Sequence, residues 1–398
     1  MHTIPRVILK PGRDQSVLNR HPWLFSGALS RVEGEAQDGD VVEVCDSRGQ
    51  FLARGVLNRR SQIAVRLLSW EPGQAVDADL WRARLDASIR RRAALAADAG
   101  TDAYRLVHAE ADGLPGLIVD RYAGWLVTQF LSLAAEQQQA VVVEHLAQQL
   151  ALQGIFNRSD NEVRRKEGLP SSAGPLWGDP PPELVEIHEH GHRFLADLVS
   201  GHKTGFYLDQ RENRQACAKY TSGAEVLNAF AYTGAFAVYA AAAGAPQVTN
   251  VDSSPAALQL AQRMLPLNGF GARPDEYHAA NAFEWLRGCR DRGRQFDVII
   301  LDPPKFAASK SQVAAALRGY KDINLLGMKL LRPGGCLVTF SCSGAVGAEL
   351  FQQVLFEAAL DAGRGVQLVE RLGQAADHPV LLTFPESQYL KGAVCRVE

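Results

Sequence analysis

The chain has 398 residues, 46% of them hydrophobic and 22% charged, with a formal net charge of −2 at pH 7. This length exceeds what one hydrophobic core usually organises, and the composition excludes a fibrous or mainly disordered protein, so we expect two or three folded domains. The near-neutral charge excludes a wholly basic nucleic-acid binder but allows a local basic face.

The cysteine pattern and the lack of long apolar runs are typical of a cytoplasmic protein. Six cysteines are scattered along the chain without a CxxC pair, so neither a zinc site nor a disulfide framework is predicted. No run approaches the ~18 apolar residues of a membrane span, and the N-terminus lacks a basic start followed by a long apolar run. We therefore expect a cytoplasmic protein with reduced thiols, no bound metal and no membrane partner.

Residues 1–75 form the first predicted domain, which is small and β-rich. The runs VVEVCD, FLARGVLN and IAVRLLSW read as short strands separated by turn residues. Against the single acid Asp14, the early part carries six basic side chains: Arg6, Lys10, Arg13, Arg20, His21 and Arg31. The composition of this module alone favours an ordinary solvated surface over a nucleic-acid contact.

Residues 76–100 are predicted to form a linker helix. Asp77 is a good N-cap residue and Gly100 a good stop, and Trp81, Leu85 and Ile89 recur at helical spacing between them.

Residues 101–198 are predicted to form a compact α+β middle domain. Strand-like runs surround a helix near residues 135–152. Within this domain His188, His190 and His192 alternate, as metal ligands on a strand would. We reject a metal site because His190-Gly191 resembles a hairpin turn, which breaks the common face.

From residue 199 to 398 the pattern changes to strand, turn and helix in repetition, which is typical of a doubly wound α/β sheet. The first strand, 225–230, leads through Tyr232-Thr233-Gly234 into an alanine-rich helix. Such a turn directs backbone N–H groups and a helix N-terminus at one ligand. Only one glycine lies in the turn, so the dinucleotide pattern GxGxxG is absent and a nicotinamide cofactor is disfavoured.

Two further positions are typical of a nucleoside site. Asp252 ends the second strand, where an acid accepts hydrogen bonds from ribose hydroxyls, although helix capping is an alternative role. Asn281-Ala282 follows the third strand, where an adenine edge is read.

Asp302 and Cys342 are the predicted reactive pair. The apolar strand 296–301 ends in Asp302-Pro303-Pro304, and the next strand ends at Ser341-Cys342-Ser343. Because consecutive βαβ strands usually lie side by side, we expect Asp302 and Cys342 to emerge together. Cytosine C5 is a weak nucleophile until a thiolate adds to C6, and a nearby carboxylate and Lys305 would support that addition.

On these residues the chain resembles the class I S-adenosylmethionine-dependent methyltransferases, and more narrowly the ribosomal RNA large subunit methyltransferase I family, which forms 5-methylcytidine in 23S rRNA. The resemblance covers nearly the whole chain and includes 20–29, RHPWLFSGAL, which is similar to the PUA segment of that family. It implies an α/β fold class: a PUA-like RNA-binding domain, an α+β intermediate domain and a Rossmann-like methyltransferase domain.

The resemblance also implies S-adenosylmethionine as cofactor, 23S rRNA as partner, rRNA processing as the role, and a homodimer as one compatible assembly. Its predicted RNA contacts are Lys10, Arg13, Arg20 and His21. Its predicted catalytic residues are the nucleophile Cys342 with Asp302 and Lys305. Its predicted cofactor contacts are Phe206, Asp209, Arg211, Asn228, Phe230, Tyr232, Thr233, Gly234, Asp252, Asn281, Ala282, Asp302 and Pro303.

Two departures from related enzymes leave alternatives open. Amides stand at Asn228 and Asn281, where many class I methyltransferases carry acids, and Pro304-Lys305 stands where many RNA cytosine-C5 enzymes have a second cysteine. Methylation of an exocyclic base amine is the enzymatic alternative, because Asp-Pro-Pro resembles the motif that holds an amino nitrogen. An RNA-binding assembly factor without catalysis is the non-enzymatic alternative.

Overall fold

The computed structural model describes residues 4–271, 273–307 and 309–398, and the chain divides into two compact units. Unit 1 comprises Met1–His188, Ala196–Leu208 and Asp377–Ser387. Unit 2 comprises Glu189–Leu195, Asp209–Ala376 and Gln388–Glu398. The predicted domain boundaries after residues 75, 100 and 198 stay predictions.

The N-terminal part of unit 1 is a six-stranded sheet with the order β2-β6-β5-β4-β1-β3. Its elements are β1 (Arg6–Leu9), α1 (Gln15–Leu18), β2 (Trp23–Phe25), β3 (Leu29–Glu33), β4 (Val41–Cys45), β5 (Phe51–Leu57) and β6 (Ile63–Ser69). Val42 and Val44 are fully buried while Val41 and Glu43 are partly exposed, which is the alternation of a strand with one face on a core. The predicted β-rich character of this segment is confirmed.

The rest of unit 1 contains a five-stranded sheet with the order β11-β10-β9-β8-β7. Its elements are α2 (Ala78–Arg91), α3 (Ala93–Ala96), β7 (Ala103–His108), β8 (Leu117–Tyr122), β9 (Trp125–Phe130), α4 (Leu133–Gln137), α5 (Gln139–Gln149), β10 (Gly154–Ser159), α6 (Val163–Lys166) and β11 (Ser172–Gly178). Trp81, Leu85 and Tyr104 belong to its core.

The helix predicted from Asp77 begins as expected but is shorter. The Asp77 carboxylate accepts from the N–H groups of Asp79 and Leu80, both at 3.1 Å, so Asp77 is the N-cap. The prediction of one helix to residue 100 is wrong, because α2 ends at Arg91 with Arg92 as its C-cap, and the short helix α3 follows. The Arg92 guanidinium donates to both carboxylate oxygens of Asp112, at 2.7 and 2.8 Å. The Arg92 side chain is therefore buried and does not lie on a solvated helix face.

The three alternating histidines flank a turn, as predicted. They lie on and between β12 (Val185–Glu189) and β13 (His192–Ala196). His190 and Gly191 have φ values of 49° and 80°, so the chain reverses between them and the histidines do not share one strand face.

Unit 2 carries a seven-stranded sheet with the order β16-β15-β14-β17-β18-β20-β19. Its elements are α7 (Arg211–Ala218), β14 (Glu225–Ala229), α8 (Ala235–Ala242), β15 (Gln247–Asp252), α9 (Pro255–Leu267), β16 (Glu276–Ala279), α10 (Ala282–Asp291), β17 (Phe296–Leu301), α11 (Val313–Leu330), β18 (Leu331–Ser341), α12 (Ala348–Ala362), β19 (Val366–Gly373) and β20 (Lys391–Val397). The first five strands of this order run parallel, and β20 pairs antiparallel with both β18 and β19. The predicted Rossmann-like α/β fold is confirmed.

The strand β17 lies in the middle of this sheet, between β14 and β18. Ile299, Ile300 and Leu301 are fully buried, because a central parallel strand is covered by helices on both faces. Its carboxyl end therefore presents the residues that follow it at the edge where ligands bind in such sheets. Among the described helices none is long and apolar enough to span a membrane.

Candidate active site

The turn after β14 has an unusual backbone. Phe230 and Tyr232 have φ values of 60° and 47°, which side chains other than glycine rarely adopt. The Tyr232 N–H donates to Oδ2 of Asp252 at 2.8 Å, which holds the turn against the end of β15. Gly234 has a φ of 77°, and a Cβ there would lie 2.9 Å from Cβ of Ala261. A local conformation held by several neighbours in this way is typical of a binding loop.

Oδ1 of Asn228 and Oγ1 of Thr233 are buried polar atoms without a hydrogen-bond partner among the described residues, and Nδ2 of the neighbouring Asn250 is a third. Asn228 is 1% exposed and Thr233 is 3% exposed, so water does not freely satisfy these atoms. Unpaired buried polar atoms are rare in folded proteins and call for a ligand or ordered water. A cofactor with an amino and a carboxylate group fits this pair, since the amide oxygen accepts and the hydroxyl donates.

Asp252 and Asn281 lie at the ends of neighbouring strands, β15 and β16. Oδ1 of Asp252 accepts from the Ser254 N–H at 2.8 Å, but the N-cap of α9 is Ser254 itself. Helix capping therefore does not account for Asp252. Asn281 is the N-cap of α10, because its Oδ1 accepts from the N–H of Phe283 at 2.9 Å. This cap does not use the amide N–H groups of Asn281, and its contact with an adenine edge stays a prediction. Ala282 is the first residue of that helix.

The expected pairing of the Asp302 and Cys342 segments is confirmed. β17 and β18 are parallel neighbours with Leu301 opposite Thr339, so both loops leave the same end of the sheet. Sγ of Cys342 lies 3.9 Å from the carbonyl oxygen of Pro303. The Ala307 N–H donates to Oγ of Ser343 at 3.1 Å, which joins the two loops a second time.

The six cysteines differ in access. Cys342 is partly exposed, whereas Cys45, Cys217, Cys289, Cys336 and Cys395 are buried. Burial raises the pKa of Cys336 to about 11 and that of Cys395 to about 12. A thiol must lose its proton to act as a nucleophile, so Cys342 is the best placed of the six.

Lys305 and Lys391 supply positive charge near Cys342. Lys305 is exposed at the end of the Asp302 loop. Lys391 is 6% exposed and begins β20, where it pairs with Ser341. Our sequence prediction missed Lys391, because β20 is separated from β18 by about fifty residues and a lysine at the start of an apolar run is the only local signal.

The three predicted contacts before β14 fall into different units. Phe206 is buried in unit 1, whereas Asp209 and Arg211 belong to unit 2. Asp209 accepts from the Tyr389 hydroxyl at 2.7 Å, and the fully buried Arg211 contacts Glu212 at 3.1 Å. Their cofactor roles stay predictions.

The predicted RNA contacts lie in the six-stranded sheet region of unit 1. Lys10, Arg13 and Arg20 are exposed. His21 differs, because its Nε2 contacts Glu386 at 3.2 Å and its ring packs edge-on against Phe384. The exposed cations are therefore better placed for phosphates than His21.

Comparison with known proteins places the chain in a family. Residues 7–70 match the model of the PUA-like domain, and residues 105–386 match the model of the S-adenosylmethionine-dependent methyltransferases. The Ribosomal RNA large subunit methyltransferase I of Erwinia tasmaniensis is 49% identical over 98% of this chain and 99% of its own. The protein of the same name from Klebsiella pneumoniae (strain 342) is 48% identical over 99% of this chain and 98% of its own. The chain belongs to the ribosomal RNA large subunit methyltransferase I family.

Solved structures agree with this assignment at the level of fold. A putative SAM-dependent methyltransferase from Streptococcus mutans has a TM-score of 0.85 at 21% identity and covers 99% of this chain and 100% of its own. As a member of the ribosomal RNA large subunit methyltransferase I family, the chain is an S-adenosylmethionine-dependent methyltransferase. The unpaired atoms of Asn228 and Thr233 and the carboxylate of Asp252 fit that cofactor.

Proposed function

We propose that this chain transfers a methyl group from S-adenosylmethionine to C5 of a cytosine in 23S rRNA, through a covalent bond between Cys342 and C6. The observation that carries the proposal is the position of the Cys342 thiol, 3.9 Å from the Pro303 carbonyl oxygen at the end of β17. The relatives are named as methyltransferases of large-subunit ribosomal RNA, and this supports ribosomal RNA as the substrate class.

Cys342 and Asp302 have different roles in the proposed reaction. The Cys342 thiolate forms a bond to C6, and the electrons of the C5=C6 double bond then make C5 nucleophilic. Asp302 hydrogen-bonds the pyrimidine as charge builds on the ring. After methylation a base removes the C5 proton, the double bond re-forms, and the bond between carbon and sulfur breaks to release Cys342.

The cofactor contributes an electrophilic methyl group on a sulfonium, with S-adenosylhomocysteine as the leaving group. Asn228 and Thr233 would bind its amino acid end, Asp252 its ribose and Asn281 its adenine. Pro303 and Pro304 fix the backbone beside Asp302, so the loop does not need to reorganise during the reaction.

Replacement of Cys342 tests the mechanism. Cys342→Ala should lower methyl transfer by several orders of magnitude and leave cofactor affinity nearly unchanged, because the thiol acts only on the pyrimidine. Transcripts of 23S rRNA with 5-fluorocytidine should become covalently trapped on the wild-type enzyme, since fluorine blocks the proton loss that precedes release. Denaturing gel electrophoresis measures the adduct, and mass spectrometry of RNA nucleosides measures 5-methylcytidine.

Cys336→Ala is the matched control, because it removes a buried thiol of the same strand. It should retain activity and adduct formation. Formation of 5-methylcytidine by Cys342→Ala would exclude this mechanism. If the product were instead an N-methylated base and the wild type formed no adduct, methylation of an exocyclic amine would replace the proposal.

A further inference from the structure

Lys391 is a buried cation beside Cys342. Its Nζ donates to the carbonyl oxygen of Ser343 at 2.6 Å and to that of Tyr389 at 2.8 Å. Ser343 directly follows Cys342, and the backbone of Lys391 pairs with Ser341, which directly precedes it. The side chain therefore spans the residue that carries the thiol.

The surroundings of Lys391 leave its charge without an anionic partner. No carboxylate in the described part of the chain lies within ion-pair distance of its Nζ, and only carbonyl dipoles accept its protons. A buried ammonium without a counter-ion is costly. The pKa of Lys391 is lowered to about 8, because burial outweighs the opposing effect of negative charge on Cys342, and the charge of Lys305 lowers it further. A thiolate at Cys342 is thus the anion that this cation lacks.

The other charged and titratable groups around Cys342 do not replace Lys391. Lys305, after β17, is exposed and its charge is screened by water. Asp302 follows the same strand, and its negative charge disfavours a thiolate. Tyr320 of α11 contacts Ser343 at 3.0 Å, and burial raises the pKa of its hydroxyl, so it stays neutral.

We infer that Lys391 is a positioning residue that stabilises Cys342 as the thiolate required for addition to the pyrimidine. The inference rests on the proposed nucleophilic role of Cys342. When Cys342 ionises, its proton passes to solvent water, which reaches this partly exposed residue. Below about pH 8 Lys391 keeps its own proton. The same ammonium then holds the thiolate when it leaves C6 at the end of the reaction.

The pH dependence of Cys342 alkylation tests this role without RNA. The rate of reaction with iodoacetamide is measured between pH 5 and 10 on the full chain, with the Cys342 peptide quantified by mass spectrometry. Lys391→Gln should raise the midpoint by about one pH unit, so that alkylation below the midpoint becomes roughly tenfold slower. Lys391→Arg keeps the charge and should stay within about twofold of the wild type.

Lys305→Gln is the matched control, because it removes an exposed cation at the same site, and it should shift the midpoint much less. An unchanged midpoint in Lys391→Gln that still binds S-adenosylmethionine would overturn the inference. If Lys391→Gln does not fold, the titration of the Lys391 amine is measured by NMR instead. The amine should titrate at lower pH in Cys342→Ala than in the wild type. An identical titration in the two proteins would refute the coupling. A shifted midpoint together with no 5-fluorocytidine adduct would refute the proposed function while the coupling of Lys391 to Cys342 stands.

Discussion

At the residue scale, we propose two tasks for the carboxylate of Asp252. Its oxygens accept from the backbone N–H groups of Tyr232 and Ser254, both at 2.8 Å, which fixes the carboxylate beside the binding turn. Each carboxylate oxygen can accept more than one hydrogen bond, so ribose hydroxyls can bind the remaining lone pairs. We therefore propose that the residue both fixes the turn and contacts the cofactor.

Asp252→Ala should weaken S-adenosylmethionine binding at least tenfold, measured by calorimetry. Each hydrogen bond to a charged group contributes roughly 1.5–3 kcal/mol, and the loss also frees the Tyr232 turn. Asp291→Ala, on the exposed end of α10, is the control and should bind normally. Unchanged affinity in a folded Asp252→Ala protein would remove Asp252 from the cofactor site.

His108 predicts a pH dependence of stability. Burial lowers the pKa of His108 well below 6.5, and the positive charge of Arg105 adds to this effect. The folded protein therefore keeps His108 neutral at a pH where the unfolded chain binds a proton. The stability contribution is fully present above about pH 6.5 and is lost as the pH falls below that value.

Urea unfolding of the full chain between pH 5 and 8 measures this effect. The free energy of unfolding should decrease towards pH 5, with a contribution from His108 of at most about 1.4 kcal/mol per pH unit. His108→Gln should flatten the profile relative to the wild type. Parallel profiles for the two proteins would show that His108 is protonated in the folded state.

At the element scale, the turn between β14 and α8 depends on Gly234. A side chain at position 234 would be strained, because the backbone φ there is 77°. Its Cβ would also lie 2.9 Å from Cβ of Ala261, so α9 would have to move. Gly223 has a similar φ of 70°, but a Cβ there has no neighbour within 4 Å. Substitutions at the two glycines therefore distinguish the cost of backbone strain from the cost of steric crowding.

Gly223→Ala should cost about 1 kcal/mol of unfolding free energy from φ alone. Gly234→Ala should cost roughly 1–3 kcal/mol more through overpacking, and it should also weaken cofactor binding because the turn shifts. Denaturant unfolding and calorimetry on both variants measure the differences. Equal losses in the two proteins would show that contact between the turn and α9 contributes nothing.

The sequence predicted the parallel strands of unit 2 well and the antiparallel ones not at all. β14, β15 and β17 are short strands that are largely buried on both faces, and turn or cap residues mark their ends. β19 is an edge strand whose residues are largely exposed, so its apolar pattern is weak. Because β20 was not predicted, Lys391 could not be placed beside Cys342, since that juxtaposition depends on tertiary pairing with β18.

At the scale of the whole molecule, a buried ionic network in unit 1 joins β6 of the six-stranded sheet to segments that connect elements of the five-stranded sheet region. Arg66 of β6 contacts Glu110 at 2.6 Å and Glu167 at 2.8 Å, and all three residues are nearly inaccessible. The Trp23 indole N–H donates to the same Glu110 at 2.7 Å. Deletion of residues 1–75 would leave two buried carboxylates without their cation, a loss that typically costs 3–5 kcal/mol. Truncation is therefore a poor test of RNA binding by this region.

Charge substitution on the intact chain tests that region directly. The triple variant Lys10→Gln, Arg13→Gln, Arg20→Gln changes only exposed side chains and should leave S-adenosylmethionine affinity unchanged. RNA affinity should fall and become less salt-dependent, because each lost phosphate contact reduces the slope of log K against log salt by roughly 0.7 to 0.9. Filter binding to a 23S rRNA fragment at several salt concentrations measures the slope.

The control is the double variant Arg263→Gln, Arg290→Gln, which removes two exposed cations of unit 2. A slope reduced by the control pair and not by the triple variant would locate the RNA contact on unit 2 and contradict the role predicted for the PUA-like region.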